Sequence, residues 1–304
     1  MKFVFVILHY MTYTDTSEAI DSIFNSLEDD NYEIVVVDNN SLNDSFLLLK
    51  DKYSNNKKVY FIRNDQNLGF AKGNNRGYEY AKKQLKANFI ILINNDIFLK
   101  QKDFLKVIEK TYNIEKPHIM GPDIVSAIDK GHQNPQRIKE ASDQEIKKNI
   151  LINRLLCILI ETKTEKLLRG IYQKLKKALS VETQRHLQNS KKQWEEALLN
   201  VQLHGACLIF TPLYVKNYKG MYSGTFMYME EDILHYIAVQ ENMKILYTPK
   251  IRIYHKEDAS TNAVFNKENK KRLFYYKNVN KSSRILLRLK KNPQLYKDDI
   301  IENS

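Results

Sequence analysis

The sequence predicts an α/β fold in which a mostly parallel sheet carries helices on both faces. Short apolar, β-branched runs alternate with segments of helical periodicity through the first 125 residues. These runs are continuously apolar, which is typical of strands covered on both faces. A repeated strand, helix, strand order then favours parallel neighbours joined by crossover helices.

The predicted elements follow in a regular order. Strands are expected at residues 3–8, 33–38, 58–63 and 88–93, and helices at residues 15–27, 45–53 and 70–85. The first apolar run, of six residues, is too short to cross a bilayer or to act as a signal sequence. Two cysteines in 304 residues do not make a disulfide framework. We therefore expect a cytoplasmic protein that is neither secreted nor membrane-spanning.

Residues 136–199 break this pattern. Strand signals vanish, and residues 137–193 carry 14 basic against 6 acidic side chains. We predict an inserted basic helical segment and leave three uses open for it: a membrane-facing element, an acceptor-binding element or an oligomerisation hairpin. Strand-like sequence resumes at residues 203–210, 244–247 and 251–254.

A final basic helix is predicted over residues 267–291, and we divide the chain into residues 1–265 and a C-terminal helix and tail at 266–304. The helix carries ten basic residues against Glu268. It suits an anionic membrane surface, with Leu286, Leu287 and Leu289 as the inserted face. The alternative is a helix docked on the core with a solvated basic face. The formal net charge of +12 likewise favours polyanionic partners.

Polar residues directly follow the buried strands, at the sheet edge where such folds bind ligands. Asp38 can accept hydrogen bonds from a ribose hydroxyl or a base N–H, although it also suits a simple turn. Asn94, Asn95 and Asp96 follow the fourth strand. The Asp96 carboxylate could hold Mg²⁺ or Mn²⁺ together with phosphate oxygens, or the three residues could form a turn.

Three of the nine glycines fall within residues 67–77. Gly69 leads into a helix whose N-terminus exposes free N–H groups and a positive dipole end. Gly73 and Gly77 share one face of that helix, where they permit close approach of a ligand or of the sheet. We expect Gly69 and Gly73 to serve a ligand and Gly77 to serve packing.

A run of three acids, from Glu230 through Glu231 to Asp232, opens a later helix. The helix dipole favours acids there, which accounts for them without a function; the alternative is a general base positioned by the helix terminus. His255 ends a strand-like run and could ligate a metal or contact phosphate, although a lone histidine is more often structural.

The chain resembles the family 2 glycosyltransferases of the GT-A fold through six segments in order: VVVDNNS, NLGFAKGNNRG, NND, HGACLIF, FMYMEEDILHYI and YHKEDAS. It is most similar to bacterial enzymes that build surface polysaccharides, including rhamnosyltransferase-like members. The resemblance covers residues 1–125 and 200–260. It implies an inverting transfer of a hexosyl or deoxyhexosyl group from a UDP- or dTDP-sugar to a saccharide or lipid-linked saccharide.

The resemblance also implies roles for individual residues. The donor nucleotide and sugar would contact His9, Tyr10, Asp38, Asn67, Gly69, Phe70, Gly73, Asn74, Asn94 and Asn95. The family carries a DXD motif where this chain has Asn94 to Asp96, so ligation of Mn²⁺ or Mg²⁺ falls on Asp96, with His255 as the second protein ligand. Asp232 matches the catalytic base, and Glu231 would orient the acceptor.

Rival interpretations are a nucleotidyltransferase, a non-catalytic nucleotide-binding protein and a basic nucleic-acid-binding protein. Residues 9–12 lack the glycine-rich loop and the basic residue that the first requires. Retention of Asp96, Asp232 and His255 argues against the second. The third would need a recognised basic module, and we find none, so no nucleic acid is expected. We expect a cytoplasmic enzyme, at the inner face of the cell membrane if its basic helix binds lipid.

Overall fold

The computed structural model describes residues 1–165, 167–188, 193–256 and 268–302, with the backbone alone for residues 179–188. Its first half contains the strands β1 (Phe3–His9), β2 (Tyr32–Asp38), β3 (Val59–Arg63) and β4 (Phe89–Asn94). The connecting helices are α1 (Tyr13–Ser26), α2 (Ser45–Lys52) and α3 (Phe70–Lys83). The four strands run parallel, as predicted, and each boundary lies within two residues of its expected position. Their order in the sheet is β3-β2-β1-β4.

These strands are continuously apolar because both of their faces are covered. Val4 and Val6 of β1 lie in the apolar cluster that includes α3, whereas Phe3 and Phe5 lie in the cluster that includes α1. Successive residues of a strand point to opposite faces, so two separate cores require apolar residues at every position.

The chain continues through β5 (Ile97–Phe98), α4 (Phe104–Glu115) and β6 (Ile119–Ser126). The basic insert is helical, as predicted, and forms two helices, α5 (Asp143–Glu161) and α6 (Arg169–Gln188). Ser142 caps the start of α5, where its Oγ accepts a 3.2 Å hydrogen bond from the Glu145 N–H.

The remaining elements complete the sheet. They are β7 (Leu198–Leu199), β8 (Cys207–Phe210), α7 (Pro212–Asn217), α8 (Glu230–Gln240) and β9 (Ile245–His255). Beyond β4 the strand order is β8-β6-β9-β5, and β7 pairs with β9. β6 and β9 are parallel, whereas β8, β5 and β7 are antiparallel to their neighbours. The two strands predicted at residues 244–247 and 251–254 are thus one strand, and the predicted strand 203–210 begins only at Cys207.

The C-terminal helices α9 (Glu268–Lys291) and α10 (Gln294–Ile300) pack against the rest of the chain. Leu286 and Leu289 of α9 are 1% and 0% exposed and lie in the same cluster as the sheet residues, with Leu287 half-buried against it. The expected membrane-inserting face is therefore wrong, because that apolar face is used in the core. The division of the chain at residue 265 lies outside the described residues, as does Lys267, and stays a prediction.

Within the described ranges, no helix combines sufficient length and apolar character to cross a bilayer.

Candidate functional site

Asp96 and His255 meet at the carboxyl edge of the sheet. The pairing of β5 with β9 places them side by side, with Ile97 opposite His255. His255 Nε2 lies 3.2 Å from Asp96 Oδ1, and His255 Nδ1 lies 2.8 Å from Gln133 Oε1. Both side chains are buried, and Asp96 Oδ1 has no hydrogen-bond partner among the described residues.

This pair fits a divalent cation. If Nδ1 of His255 donates to the Gln133 carbonyl oxygen, then Nε2 presents a lone pair toward the Asp96 carboxylate. A cation shared by the two atoms would satisfy both, and a carboxylate with an imidazole suits Mn²⁺. Across the described ranges no three His, Cys, Asp or Glu side chains are placed to hold one metal ion together, so phosphate oxygens and water would have to complete the coordination shell.

His204 forms a further wall of this site, which the sequence analysis did not assign. Its ring lies 5.8 Å from that of His255, edge to face. Its Nδ1 accepts a 3.1 Å hydrogen bond from the Ala206 N–H. Burial lowers the pKa of His204 to about 4, with His255 adding to the fall. The imidazole is therefore neutral and presents an N–H at Nε2. In the sequence, the position of His204 within the HGACLIF segment could have indicated that it belongs to the site.

The two asparagines before Asp96 hold the turn in place. The Asn94 N–H donates to the Ala206 carbonyl at 3.0 Å, which joins the end of β4 to the segment before β8. Asn95 Nδ2 donates to Thr12 Oγ1 at 2.6 Å and to Thr16 Oγ1 at 3.1 Å. Asn95 thereby positions Asp96 from the α1 side.

His9 lies deep beneath the expected nucleotide pocket. It is fully buried, with Nδ1 at 2.7 Å from Thr16 Oγ1 and Nε2 at 2.8 Å from Ser45 Oγ. Burial lowers the pKa of His9 to about 4, so the ring is neutral. Both nitrogens are used inside the fold, and contact with a nucleotide base would require exchanging those bonds. Tyr10 follows it, half-buried.

Asp38 is likewise engaged within the protein. It is fully buried, its carboxylate accepts hydrogen bonds from the Ser41 N–H at 3.1 and 3.3 Å, and Arg63 Nε lies 3.2 Å from Oδ2. Its expected contact with ribose therefore competes with these partners and stays a prediction. Arg63, half-exposed beside it, is a cation at the same edge.

Asn39, next to Asp38, organises the loop before α3. Its Nδ2 donates to Asn67 Oδ1 at 2.9 Å and to the Gly69 carbonyl at 3.1 Å. Its Oδ1 accepts from Asn64 Nδ2 at 3.2 Å and from the Leu68 N–H at 2.9 Å. No separate role was predicted for Asn39, because its partners lie about 30 residues away and leave no local pattern.

Gly69 permits close approach of protein backbone. It has φ of +80°, and a Cβ atom there would overlap the Phe226 carbonyl. The same carbonyl accepts a 2.8 Å hydrogen bond from the Phe70 N–H. We expected the N–H groups at the start of α3 to face an anionic ligand. This expectation is wrong for the Phe70 N–H, because a carbonyl of the loop before α8 already accepts its hydrogen bond.

The next turns of α3 pack on the sheet. A Cβ atom at Gly73 would lie 2.7 Å from Leu8 Cδ1, and one at Gly77 would overlap Val6. Close packing, which we expected for Gly77, thus also accounts for Gly73. Asn74 is 1% exposed, and its Oδ1 has no partner among the described residues.

Glu230 and Glu231 begin α8 with strongly raised pKa values. Burial raises the pKa of Glu230 to about 8, with repulsion from Glu231 next, and its Oε1 accepts from Thr225 Oγ1 at 2.9 Å. Burial raises the pKa of Glu231 to about 7, and Asp232 adds to the rise. Glu231 Oε1 accepts a 3.1 Å hydrogen bond from the Gly205 N–H, one residue after His204. Glu231 therefore lies beside the segment that borders the Asp96–His255 pair.

Asp232 has a different environment, built partly from segments outside the resemblance. Burial raises its pKa, and the nearby charge of Arg137 from the insert opposes the rise. Gln202 donates a hydrogen bond to the Asp232 carboxylate, and Tyr275 of α9 is close enough to interact with that carboxylate electrostatically. Neither Arg137 nor Tyr275 carried a sequence signal for this site.

Comparison of the sequence with known proteins gives two matches of interest. The model of the family described as glycosyl transferase family 2 matches residues 5–167. The dTDP-rhamnosyl transferase RfbF of Shigella flexneri is 30% identical over 125 residues, which is 41% of this chain and 40% of that protein. The match thus spans less than half the length of this curated relative.

Comparison with solved structures supports the fold. TarS 1-349 of S. aureus in complex with UDP superimposes with a TM-score of 0.52 at 15% identity, over 91% of this chain and 71% of that chain. GalNAc-T7 with UDP, GalNAc and Mn²⁺ gives a TM-score of 0.54 at 14% identity, over 85% and 44%. At such identities the likeness concerns the GT-A architecture alone.

Proposed function

The chain belongs to glycosyl transferase family 2, and from that premise we propose that it moves a sugar from a nucleoside-diphosphate sugar to a saccharide or lipid-linked saccharide acceptor, with inversion. The observation that carries the proposal is the convergence of two features at one sheet edge. The Asp96–His255 pair leaves a buried carboxylate oxygen without a hydrogen-bond partner. A carboxyl group with a pKa near 7, that of Glu231, lies beside the adjoining segment.

Asp96 and His255 are proposed to hold Mn²⁺ or Mg²⁺ against the donor diphosphate. When bound, the cation would offset the negative charge that gathers on the leaving nucleoside diphosphate. Asn95 keeps Asp96 in position through its hydrogen bonds to Thr12 and Thr16. The neutral His204 can donate from Nε2 to a phosphate or sugar oxygen without adding charge.

Glu231 is proposed as the general base. The resemblance suggested the opposite assignment, with Asp232 as the base and Glu231 orienting the acceptor. A carboxylate with a pKa near 7 accepts a proton well at neutral pH. It would remove the proton of the acceptor hydroxyl as that oxygen bonds to the anomeric carbon. The bond from that carbon to the diphosphate oxygen breaks on the opposite side, so the configuration inverts and the nucleoside diphosphate leaves.

Asp232 is proposed to orient the acceptor together with Arg137 and Tyr275. A carboxylate next to an arginine is a weaker base than one beside a second carboxylate, because the cation favours its charged form. Arg137 and Tyr275 come from the insert and from α9, which lie outside the resemblance. Acceptor choice would thus depend on the insert and on α9.

The donor is proposed to be a dTDP- or UDP-linked hexose or deoxyhexose used in surface polysaccharide synthesis in the cytoplasm. Support for dTDP comes from the name of the S. flexneri relative, and support for UDP and Mn²⁺ comes from the ligands named for TarS and GalNAc-T7. A deoxysugar such as rhamnose is our first candidate.

The test is a panel of dTDP- and UDP-sugars mixed with the full chain, with and without Mn²⁺. We expect one donor to raise the melting temperature in the presence of metal, because a ligand that binds only the folded state stabilises it. The enzyme should also hydrolyse the same donor slowly and so release nucleoside diphosphate. If no sugar nucleotide shifts the melting temperature and none is hydrolysed, the proposal is wrong.

A further inference from the structure

The solvent-facing side of α5 carries apolar side chains that the fold does not bury. Leu151, Leu155 and Ile158 are 58%, 40% and 46% exposed. Their spacing of four and three residues places them in one stripe along the helix. The opposite side of α5 already supplies Ile152, Leu156 and Ile160 to a buried cluster with Tyr276 of α9. The exposed stripe is therefore not needed for packing.

Basic residues flank this stripe. At 100° per residue, Lys147 and Arg154 lie along one side of it and Lys148 along the other, and all three are exposed. We call the six residues Lys147, Lys148, Leu151, Arg154, Leu155 and Ile158 the outer face of α5. No acidic residue of α5 falls within this arc of about 120°.

The carboxylates nearest to the outer face are paired with the protein. Glu161 lies 2.5 Å from Lys277 of α9, and Asp143 lies 3.3 Å from Lys290. Beyond the end of α5, Glu165 lies 2.9 Å from Arg272. These ion pairs neutralise the acids of the hairpin on the α9 side, so positive charge dominates the outer face.

The same composition continues through the turn after α5 and into the start of α6. Leu167, Leu168 and Ile171 are 83%, 38% and 53% exposed, and Lys163 and Arg169 are exposed beside them in the sequence. Exposed apolar residues grouped in this way mark a surface that meets a partner rather than water.

We propose that the outer face of α5 docks on an anionic lipid bilayer. Apolar side chains along the centre with cations on both flanks are the arrangement of helices that lie in a membrane interface. A second copy of the chain fits less well. A twofold contact would bring these cations close to their own copies, which repel them, and the outer face itself contains no acidic residue. Anionic headgroups attract the same cations.

The test measures binding of the full chain to vesicles of phosphatidylcholine with and without phosphatidylglycerol. We expect binding only to the anionic vesicles and a steep loss with added salt, because surface charges are screened. Lys147→Gln/Arg154→Gln should weaken binding roughly 30-fold at low salt, from about 1 kcal/mol for each cation. Leu151→Gln/Ile158→Gln should remove the part of the binding that persists at high salt.

Two control variants separate this surface from others. Lys281→Gln/Arg284→Gln removes two exposed cations from α9 and should leave binding unchanged. Ile114→Gln/Ile128→Gln removes apolar side chains that are 68% and 72% exposed elsewhere, and it too should bind normally. All four variants alter half-exposed or exposed side chains, so their melting temperatures should equal that of the wild type.

Three results would overturn the proposal. The α9 variant could lose binding while the α5 variants keep it. The chain could bind neutral vesicles equally well. Finally, sedimentation could reveal a dimer that Leu151→Gln/Ile158→Gln dissociates, which would assign the outer face to a second copy.

Discussion

Glu231 Oε1 accepts a 3.1 Å hydrogen bond from the backbone N–H of Gly205, and the absence of a side chain at Gly205 is what allows the contact. The bond ties the start of α8 to the segment that leads into β8. It thereby sets the distance between the carboxyl group of α8 and the Asp96–His255 pair. Substitution of either residue of this contact gives a testable prediction.

Glu231→Gln should abolish transfer while donor binding persists. The amide keeps the size and the acceptor oxygen but cannot take a proton. In the wild type, kcat/KM should rise with pH through about 7, since Glu231 must lose its proton to act as a base. Asp232→Asn is the comparison and should mainly raise the KM for the acceptor. Loss of turnover in Asp232→Asn with near-normal turnover in Glu231→Gln would reverse the two roles.

Gly205→Ala should lower kcat at least about tenfold with little loss of stability. A Cβ atom there would overlap the Glu231 carboxyl group, which is the free end of a flexible side chain and can move away. Thermal melting and initial rates measure the two effects. The matched control is Gly170→Ala in α6, where the added Cβ would meet open space among the described residues. Normal activity in Gly205→Ala would separate the contact from catalysis.

Asp96→Asn should remove the metal dependence of donor binding. The amide oxygen is a weaker ligand than a carboxylate for a hard divalent cation. The readout is the shift in melting temperature caused by UDP or dTDP, with Mn²⁺ and with EDTA. His255→Gln should act in the same direction, and Asp51→Asn, at an exposed position on α2, should behave as the wild type. A donor shift that survives EDTA in the wild type would contradict a metal role for the pair.

Glu230→Gln should stabilise the protein at high pH. Burial raises the pKa of Glu230 from 4.5 to about 8 in the folded state. Between these values the unfolded chain ionises and the folded chain resists ionisation, so stability falls as pH rises and the penalty is complete above about 8. The neutral amide escapes this penalty, and the variant should melt higher than the wild type at pH 9 but equally at pH 4. Glu196→Gln, at an exposed position, is the control; an equal gain there would refute the argument.

Sequence reasoning located the first four strands and three helices because the signals for them are local. A strand buried on both faces must be apolar at each position, and a helix on such a sheet must repeat its apolar residues every three or four positions. The polar residues after the strands were found for the same reason, since Asp38 and residues 94–96 follow directly on apolar runs. That the side chains of Asp96 and His255 share a site was implied by the family resemblance.

What the sequence by itself determined is therefore the first four strands and their parallel arrangement, the helices between them, and the sheet edge that carries the polar residues. Only the tertiary structure decided which way amphipathic faces turn and which partners surround each of two neighbouring acids. Leu286 and Leu289 suited a membrane as well as a core, and contacts with segments distant in sequence placed them in the core. Glu231 and Asp232 differ because Gly205 lies against one and Arg137 near the other. Such partners are brought together by packing between distant segments, so no local pattern records them.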